Sequence, residues 1–298
     1  MKRAIPTAVV AAMLLGGCTS IPGLANLVKP DSRGGVSLPY TTGQGQTTTI
    51  EVQRFQNVQF ADKQGNLLEP IKAETMSQSD VQLLAGDFEE LYYDKGVLRF
   101  AQYDHEPDSQ PYVVERKIGE AEFETLDKPF YTDNIFKNKQ VIDAKTKLPL
   151  YFLTYVQNGK GWQGSFAPSL TTAAAHVGQI VDNYFNQFDG ASGTATPKGT
   201  TQTAYYLSAA NGTMTLSLAT QTADSSGELN ETPLKLKSVS VNAGSGAVSA
   251  TVSADEKSCT FPQPSGTGPF EQVDLKITAD GTAGSWESLI PIRPKSGS

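Results

Sequence analysis

The sequence holds few of the residues from which catalytic and metal sites are most often built. It contains only two histidines and two cysteines in 298 residues, and histidine is the usual general base and a common metal ligand near neutral pH. It also lacks a G-x-S-x-G nucleophile elbow, an S-x-x-K motif and a G-x-x-x-x-G-K-[ST] phosphate loop. These absences lower the expectation of an enzyme, and no cofactor or metal is expected.

Basic residues are also scarce relative to acidic ones. The chain carries 24 Lys and Arg against 31 Asp and Glu, a formal net charge of -7. Nucleic-acid binding needs a basic face that neutralises phosphates, so a nucleic-acid partner is excluded. A polybasic membrane-binding surface is disfavoured for the same reason.

No apolar run is long enough to span a bilayer as a helix, which takes about 20 residues. The longest runs from Ala4 to Leu15, and it follows a basic start at Lys2 and Arg3, as in an export signal. It ends in Leu15-Gly16-Gly17-Cys18, which resembles the bacterial lipobox. The resemblance implies removal of residues 1–17 and attachment of lipid to Cys18.

This lipobox resemblance sets the expected address. The lipid on Cys18 would be the membrane contact, and several acyl chains make such an anchor stable. Thr19 in place of an aspartate resembles sorting to the outer membrane, with the periplasmic or surface face undetermined. The alternatives are an ordinary signal peptide with an incidental cysteine, and an uncleaved amphipathic anchor.

Residues 18–46 are rich in Ser, Thr, Gly and Pro and have no sustained apolar period, which predicts a flexible tether. At ~5–6 Å × √n its root-mean-square reach is about 30 Å.

Residues 47–190 are expected to form a β-rich domain. Hairpins are predicted over Val58–Leu68, around Asp94-Lys95-Gly96, and between Val141-Ile142 and Leu148–Val156. Ser77–Leu84 is a short helix candidate, whereas Tyr112–Val114 and Ala121–Glu124 look like strands. From Thr171 to Phe188 apolar residues recur every three or four positions, which predicts an amphipathic helix.

A second domain is expected over residues 202–298, beyond a Gly/Ser/Thr-rich linker. Its short strand-like runs at near-even spacing suggest a sandwich or small barrel. They are Thr203–Leu207, Met214–Leu218, Leu234–Val241, Ala247–Ser253, Val273–Ile277 and Ser288–Ile290. The predicted fold class is therefore mainly β, a β-rich α+β protein: two antiparallel β domains with one amphipathic helix between them.

The candidate chemistry is sparse. His105 lies among three carboxylates in Asp104–Asp108, a pattern typical of a divalent-metal site or of a solvated acidic turn. His176 opens the helix stripe, where it is a packed or surface residue or, less typically, a ligand. Glu89 and Glu90 form a carboxylate pair, and glycosidases need two carboxylates at a set distance across a cleft.

Binding residues are easier to nominate. Trp162 and Phe166 lie between glycines in a stretch read as a loop, where aromatic side chains often anchor interfaces; the alternative is that Trp162 closes the edge of a core. Trp286, beside Gly284, is expected to pack the last strand. With Cys18 lipidated, Cys259 is left as a lone thiol, either a buried apolar residue or a reactive one.

The predicted function is that of an outer-membrane-anchored lipoprotein that acts as a binding or interaction module, with exposure on the cell surface as one option. In architecture alone, a tethered β-rich lipoprotein with a strand-rich C-terminal domain resembles surface lipoproteins of the transferrin-binding-protein B type, which implies a host protein or a haem-type nutrient as ligand. The alternatives are a periplasm-facing envelope assembly or accessory factor, and a hydrolase. The partner itself is unknown.

The anchor can be tested directly. Cys18→Ala removes the thiol that accepts the diacylglycerol, so we expect the variant to leave the membrane fraction and to lose labelling by a palmitate analogue. Fractionation of labelled cells measures both, with Cys259→Ala as the matched control that keeps label and location. Undiminished labelling of Cys18→Ala would refute the assignment.

Overall fold

The computed structural model describes residues 44–55, 59–62, 64, 66–68, 81–84, 88–103, 109–132, 150–158, 160–166, 172–189, 196–243, 246–266 and 270–296. The protein is mainly β, with antiparallel sheets and, within these residues, two α-helices. Chain contacts group residues 1–99 and 117–186 into a first compact unit and residues 100–116 and 187–298 into a second. Residues 100–116, which sequence assigns to the N-terminal domain, thus group with the second unit.

The elements up to residue 189 comprise nine strands and two helices within the described ranges. The strands are β1 (Thr48–Phe55), β2 (Gln59–Asp62), β3 (Leu67–Leu68), β4 (Val81–Leu84), β5 (Phe88–Asp94), β6 (Val97–Tyr103), β7 (Tyr112–Lys117), β8 (Leu150–Gln157) and β9 (Lys160–Phe166). The helices are α1 (Glu120–Thr132) and α2 (Thr172–Asp189). A short 3-10 turn, Gln44–Thr47, leads into β1.

The main sheet of the first unit has the order β5-β1-β8-β9, all antiparallel, and β6 begins as the hairpin partner of β5. That hairpin is the one predicted at Asp94-Lys95-Gly96: Lys95 and Gly96 both have positive φ, 47° and 86°, as a tight two-residue hairpin turn requires. The predicted hairpin over Val58–Leu68 is also confirmed, because β2 pairs with β3.

Both helices pack against one face of this sheet. From α1, Phe123 stacks on Tyr93 at 4.6 Å between ring centroids, and Phe130 lies 6.2 Å from Tyr155. Helix α2 confirms the helix predicted over Thr171–Phe188 almost to the residue. Its Val177 and Val181 are buried as expected. Within the described residues, neither helix has the length and apolar character needed to cross a membrane.

Two local predictions are wrong. Ala121–Glu124 is the start of α1 and not a strand; the buried residues Phe123, Leu126, Asp127 and Phe130 follow helical spacing that a four-residue window is too short to reveal. Val81–Leu84 is β4 and not the end of a helix, since it pairs along its whole length with β2. Cross-strand pairing overrides a weak local pattern there. Residues 77–80, 141–142 and 18–43 lie outside the described ranges.

The second unit contains the strands after residue 200. Every run predicted there contains a strand, but residues 234–235 precede theirs and the run Ala247–Ser253 is divided into two short strands. The strands are β10 (Thr201–Ala210), β11 (Thr213–Ala223), β12 (Leu229–Pro233), β13 (Leu236–Ala243), β14 (Gly246–Val248), β15 (Thr251–Val252), β16 (Ser258–Pro262), β17 (Ser265–Gly266), β18 (Glu271–Ala279), β19 (Ser285–Ile292) and β20 (Lys295–Ser296). A 3-10 turn, Gly281–Ala283, precedes β19.

These strands form a sandwich, as predicted for the C-terminal half. One layer contains the neighbouring strands β15-β16-β11-β10-β7, with β12 also on β11, which are part of an 11-stranded sheet; the other layer is a sheet of the order β14-β13-β18-β19. Alternation places one side of each strand in the core: on β18, Val273, Leu275 and Ile277 are buried while Asp274 and Lys276 are exposed. The two sheets meet through these buried rows.

Cys259 lies in this core. It is completely buried on β16, opposite Leu216 of β11, so the buried alternative of the two readings is correct. Burial raises the pKa of its thiol to about 11. At neutral pH the group is therefore a neutral thiol that behaves as a small apolar side chain.

A thiol in this environment should not react in the folded protein. In a Cys18→Ala background, we expect Ellman's reagent to leave Cys259 unmodified until the protein is unfolded in urea. We also expect Cys259→Ser to lower the free energy of unfolding by about 1–3 kcal/mol, because it buries a hydroxyl in an apolar site. Thr260→Ser, at the exposed neighbouring position, should change stability little. Rapid labelling of the folded protein would contradict this account.

Candidate functional site

The structure describes some of the residues nominated from sequence and not others. Cys18 and His105 lie outside the described residues. His176 is exposed on α2. Trp162 and Phe166 lie on β9, where the register places them opposite Tyr155 and Tyr151 of β8. The loop expected there is wrong because Gly161 and Gly164 are part of a paired strand; a binding role for Trp162 and Phe166 stays a prediction.

Glu89 and Glu90 are not arranged as a glycosidase pair. They are neighbours on β5, and successive residues of a strand point to opposite faces of the sheet. Both are buried, and each is held by its own arginine: Glu89 by Arg54 at 2.5 Å and Glu90 by Arg99 at 2.8 Å. The sheet itself separates the two carboxylates, so they do not face one cleft.

On the helix face, Arg54 forms the centre of the first polar cluster. It is the register partner of Glu89, and its Nη1 donates a hydrogen bond to Oδ1 of Asp182 on α2 at 2.9 Å. The hydroxyl of Tyr151 donates to the same carboxylate, and the guanidinium lies over the ring of Phe185 at 4.4 Å. Arg54 thus ties β5 and α2 to the middle of the sheet. Burial and the nearby Asp182 raise the pKa of Tyr151, which stays a neutral donor.

The opposite face carries the second polar cluster: Glu51, Glu90, Arg99 and Tyr92. Glu51, Glu90 and Arg99 are 3%, 4% and 2% exposed, and the Arg99 guanidinium lies over the Tyr92 ring at 4.5 Å. Gln53 donates to Glu51 at 2.9 Å. Among the residues that the structure describes, two buried carboxylates share this place with one arginine, so full ionisation would leave excess negative charge in a site of low polarity.

This excess negative charge affects the pKa of Glu51. Burial, and next the neighbouring Glu90, raise the pKa of Glu51 well above its ordinary value, and Arg99 offsets this only in part. The raised pKa favours the protonated form of Glu51, as with other carboxylates that share a buried site. Because Glu51 is buried within the sheet, we interpret it as a structural residue.

A third cluster lies inside the sandwich of the second unit. Glu115 on β7 accepts from the hydroxyls of Tyr205, at 2.5 Å, and Ser288, at 2.6 Å. Trp286 of β19 donates to the Tyr205 oxygen at 2.9 Å, which fits its expected role in packing the last strand. Burial and Glu115 raise the pKa of Tyr205. These bonds join the two sheets.

The described residues contain no group of three or more His, Cys, Asp or Glu placed to hold a metal ion. No protein-family model matches the chain. No curated protein matches it either.

Sequence reasoning missed Glu51, Arg54, Glu90 and Arg99 as a set. A signal was present in β1, which reads Thr-Thr-Ile-Glu-Val-Gln-Arg-Phe. Apolar residues occur there at both even and odd positions, and so do charged residues. A strand with one solvated face carries its charged residues only at even or only at odd positions. That pattern is typical of a strand buried on both sides, with charges that need internal partners.

The raised pKa of Glu51 predicts a pH-dependent stability. A carboxyl group whose folded-state pKa is raised binds a proton that the unfolded chain releases, so stability falls as pH rises from about 4.3, the usual Glu pKa, through the folded-state value. Glu51→Gln stays neutral at every pH and can keep the bond from Gln53. We therefore expect its urea midpoint to exceed that of the wild type at pH 8, with the difference shrinking toward pH 4.

The matched control is Glu287→Gln, which removes an exposed carboxylate on β19 and should shift the midpoint little at either pH. If Glu51→Gln is less stable than the wild type at pH 8, Glu51 is ionised in the folded state and the account of its raised pKa is wrong.

Proposed function

We propose that the chain is an outer-membrane lipoprotein, anchored through Cys18, that works as a binding module and contacts its partner along β9. The single observation that carries the anchoring is the lipobox resemblance of Leu15-Gly16-Gly17-Cys18 behind a basic start and an apolar run. A tether preceding the 3-10 turn Gln44–Thr47 would hold the β-rich part clear of the bilayer; the predicted end at residue 46 is wrong, because the Tyr93 hydroxyl donates to the Gly45 carbonyl oxygen at 3.0 Å.

Strand position supports β9 as the contact. It pairs with β8 on one side, and no other strand within the described ranges pairs with it. The free side of an edge strand presents backbone N–H and C=O groups on which an extended segment of another protein can add as a further strand. Trp162 and Phe166 lie on this strand, and aromatic side chains are frequent anchors in such interfaces.

The polar clusters support binding over hydrolysis. Glu89 and Glu90, the carboxylates nominated for hydrolysis, are buried in ion pairs on opposite faces of the sheet. A surface receptor, for which the resemblance to transferrin-binding-protein B-type lipoproteins implies a host protein or haem-type ligand, and a periplasm-facing assembly factor remain the two versions of the proposal. They differ in the face of the membrane on which the module lies.

Protease treatment separates the two versions. A surface receptor should be cleaved when intact cells are treated with proteinase K. An envelope assembly factor should be protected until the outer membrane is permeabilised, while a periplasmic marker reports membrane integrity. Protection that persists after permeabilisation with detergent-free osmotic shock would place the protein elsewhere and contradict the proposal.

The contact strand can be tested by site-specific photo-crosslinking in living cells. A benzoylphenylalanine at position 162 or 166 should give a discrete adduct with one partner, because the probe replaces an aromatic residue at the proposed contact. The control is the same probe at position 287, an exposed site on β19, where that adduct should be missing. Adducts that are lacking at 162 and 166, or equal at 287, would rule out β9 as the contact.

A further inference from the structure

Two tyrosines, one exposed and one half-buried, form an aromatic patch on the second unit. Tyr112 of β7 and Tyr206 of β10 lie on neighbouring strands, with ring centroids 5.8 Å apart and planes at 40°. Tyr206 is 36% exposed and is the one exposed large hydrophobic residue in the part of the chain described. The rings lie on the face of this sheet that points away from the sandwich core, because Tyr205, the neighbour of Tyr206, points into that core.

A polar ladder runs beside the two rings. Gln202, Gln221 and Glu231 are register partners on β10, β11 and β12. The amide of Gln202 donates to Gln221 at 2.8 Å, and the amide of Gln221 donates to Glu231 at 3.2 Å and to the Tyr112 hydroxyl at 3.1 Å. Each amide therefore donates toward the surface, and the ladder ends at an exposed carboxylate.

Glu231 is held by neutral donors only. Its Oε2 accepts from the Tyr206 hydroxyl and from Gln221. In the described residues no cationic side chain pairs with it, and its Oε1 has no hydrogen-bond partner. Burial and Glu231 raise the pKa of Tyr206, so its hydroxyl stays a donor. Glu231 is therefore held in place through Oε2, and its Oε1 can accept a hydrogen bond from a ligand beside the two tyrosine rings.

The surrounding face is neutral and rich in hydroxyl groups. Ser217 lies opposite Tyr206 on β11, and Thr215, two residues along, shares that face. Their partners on β16 are Ser258 and Thr260. All four are half-buried or exposed. Hydroxyl groups can donate and accept hydrogen bonds with equal ease.

We propose that these residues, the tyrosine patch (Tyr112, Tyr206, Gln221 and Glu231), bind a neutral oligosaccharide. A sugar ring presents C–H groups on its face and hydroxyl groups at its edge. The C–H face matches the apolar surface of a tyrosine ring. The edge hydroxyls match the free oxygen of Glu231 and the neighbouring Ser and Thr side chains, which provide the few convergent polar groups that fix a ligand's orientation.

Other ligand classes fit this patch less well. The carboxylate repels phosphates and other anions. An organic ammonium ion is usually enclosed between aromatic rings, but rings whose centroids lie 5.8 Å apart already pack against each other. The pair is therefore one aromatic surface and not a cage. The site is independent of the lipid anchor and of β9, so it adds to the proposed function without resting on it.

Saturation-transfer NMR and titration calorimetry test the proposal. The full chain is purified in a polyoxyethylene detergent, which carries neither sugar nor ammonium groups, and is titrated with cellotetraose and with chitotetraose. We expect millimolar binding of at least one. Tyr206→Ala should weaken it about 3- to 10-fold through loss of the ring contact, and Glu231→Gln should weaken it through loss of the charged acceptor.

Glu287→Gln is the matched control, since it neutralises another exposed glutamate in the same unit and should leave saccharide affinity unchanged. Unchanged thermal unfolding of Tyr206→Ala and Glu231→Gln shows that any loss is local. Tetramethylammonium chloride is titrated in parallel. Three results would each overturn the proposal: no binding of either tetrasaccharide at millimolar concentration, affinity that both variants retain, or binding of tetramethylammonium alone.

Discussion

The first unit depends on one constraint: strand β1 is buried on both faces and yet carries charge on both. Glu51 and Arg54 lie on opposite faces of the strand, so the charge of each must be compensated by groups on its own face. Taking an ion out of water costs several kcal/mol even after relaxation. Here the cost is offset by Glu89 and Asp182 on one face, and by Arg99 and the raised pKa of Glu51 on the other.

The ion pairs and the apolar contacts fix the register of the sheet together. Arg54 and Glu89 lie directly opposite each other on β1 and β5. A slip of one residue would exchange Glu89 and Glu90 between the two faces, which could still leave a glutamate near Arg54, but it would also turn Tyr93 away from Phe123 of α1. Buried ion pairs often contribute little net free energy, so the main role of Arg54 and Glu89 in this sheet is to compensate each other's buried charge.

The second unit also contains a buried carboxylate, Glu115, which accepts hydrogen bonds from neutral side chains. Glu115 is bound by the hydroxyls of Tyr205 and Ser288, and Trp286 donates to Tyr205. The partners come from both sheets, so the network can form only when the sandwich is closed. A buried polar network that is satisfied in one arrangement helps to specify that arrangement. The long sequence separation of these partners, 90 residues for Tyr205 and 173 for Ser288, makes them unreadable from sequence.

Sequence predicts what local patterns determine and fails where distant pairing decides. The Asp94-Lys95-Gly96 hairpin, helix α2 and the strands after residue 200 each have a turn residue or a sustained period. The strand expected at Ala121–Glu124 and the helix expected at Ser77–Leu84 rested on short windows. The face of the sheet on which a residue lies is harder to predict. Tyr205 and Tyr206 are adjacent and chemically identical, yet one is fully buried and the other exposed. Only the register with β7 and β11 decides which tyrosine is available to a ligand.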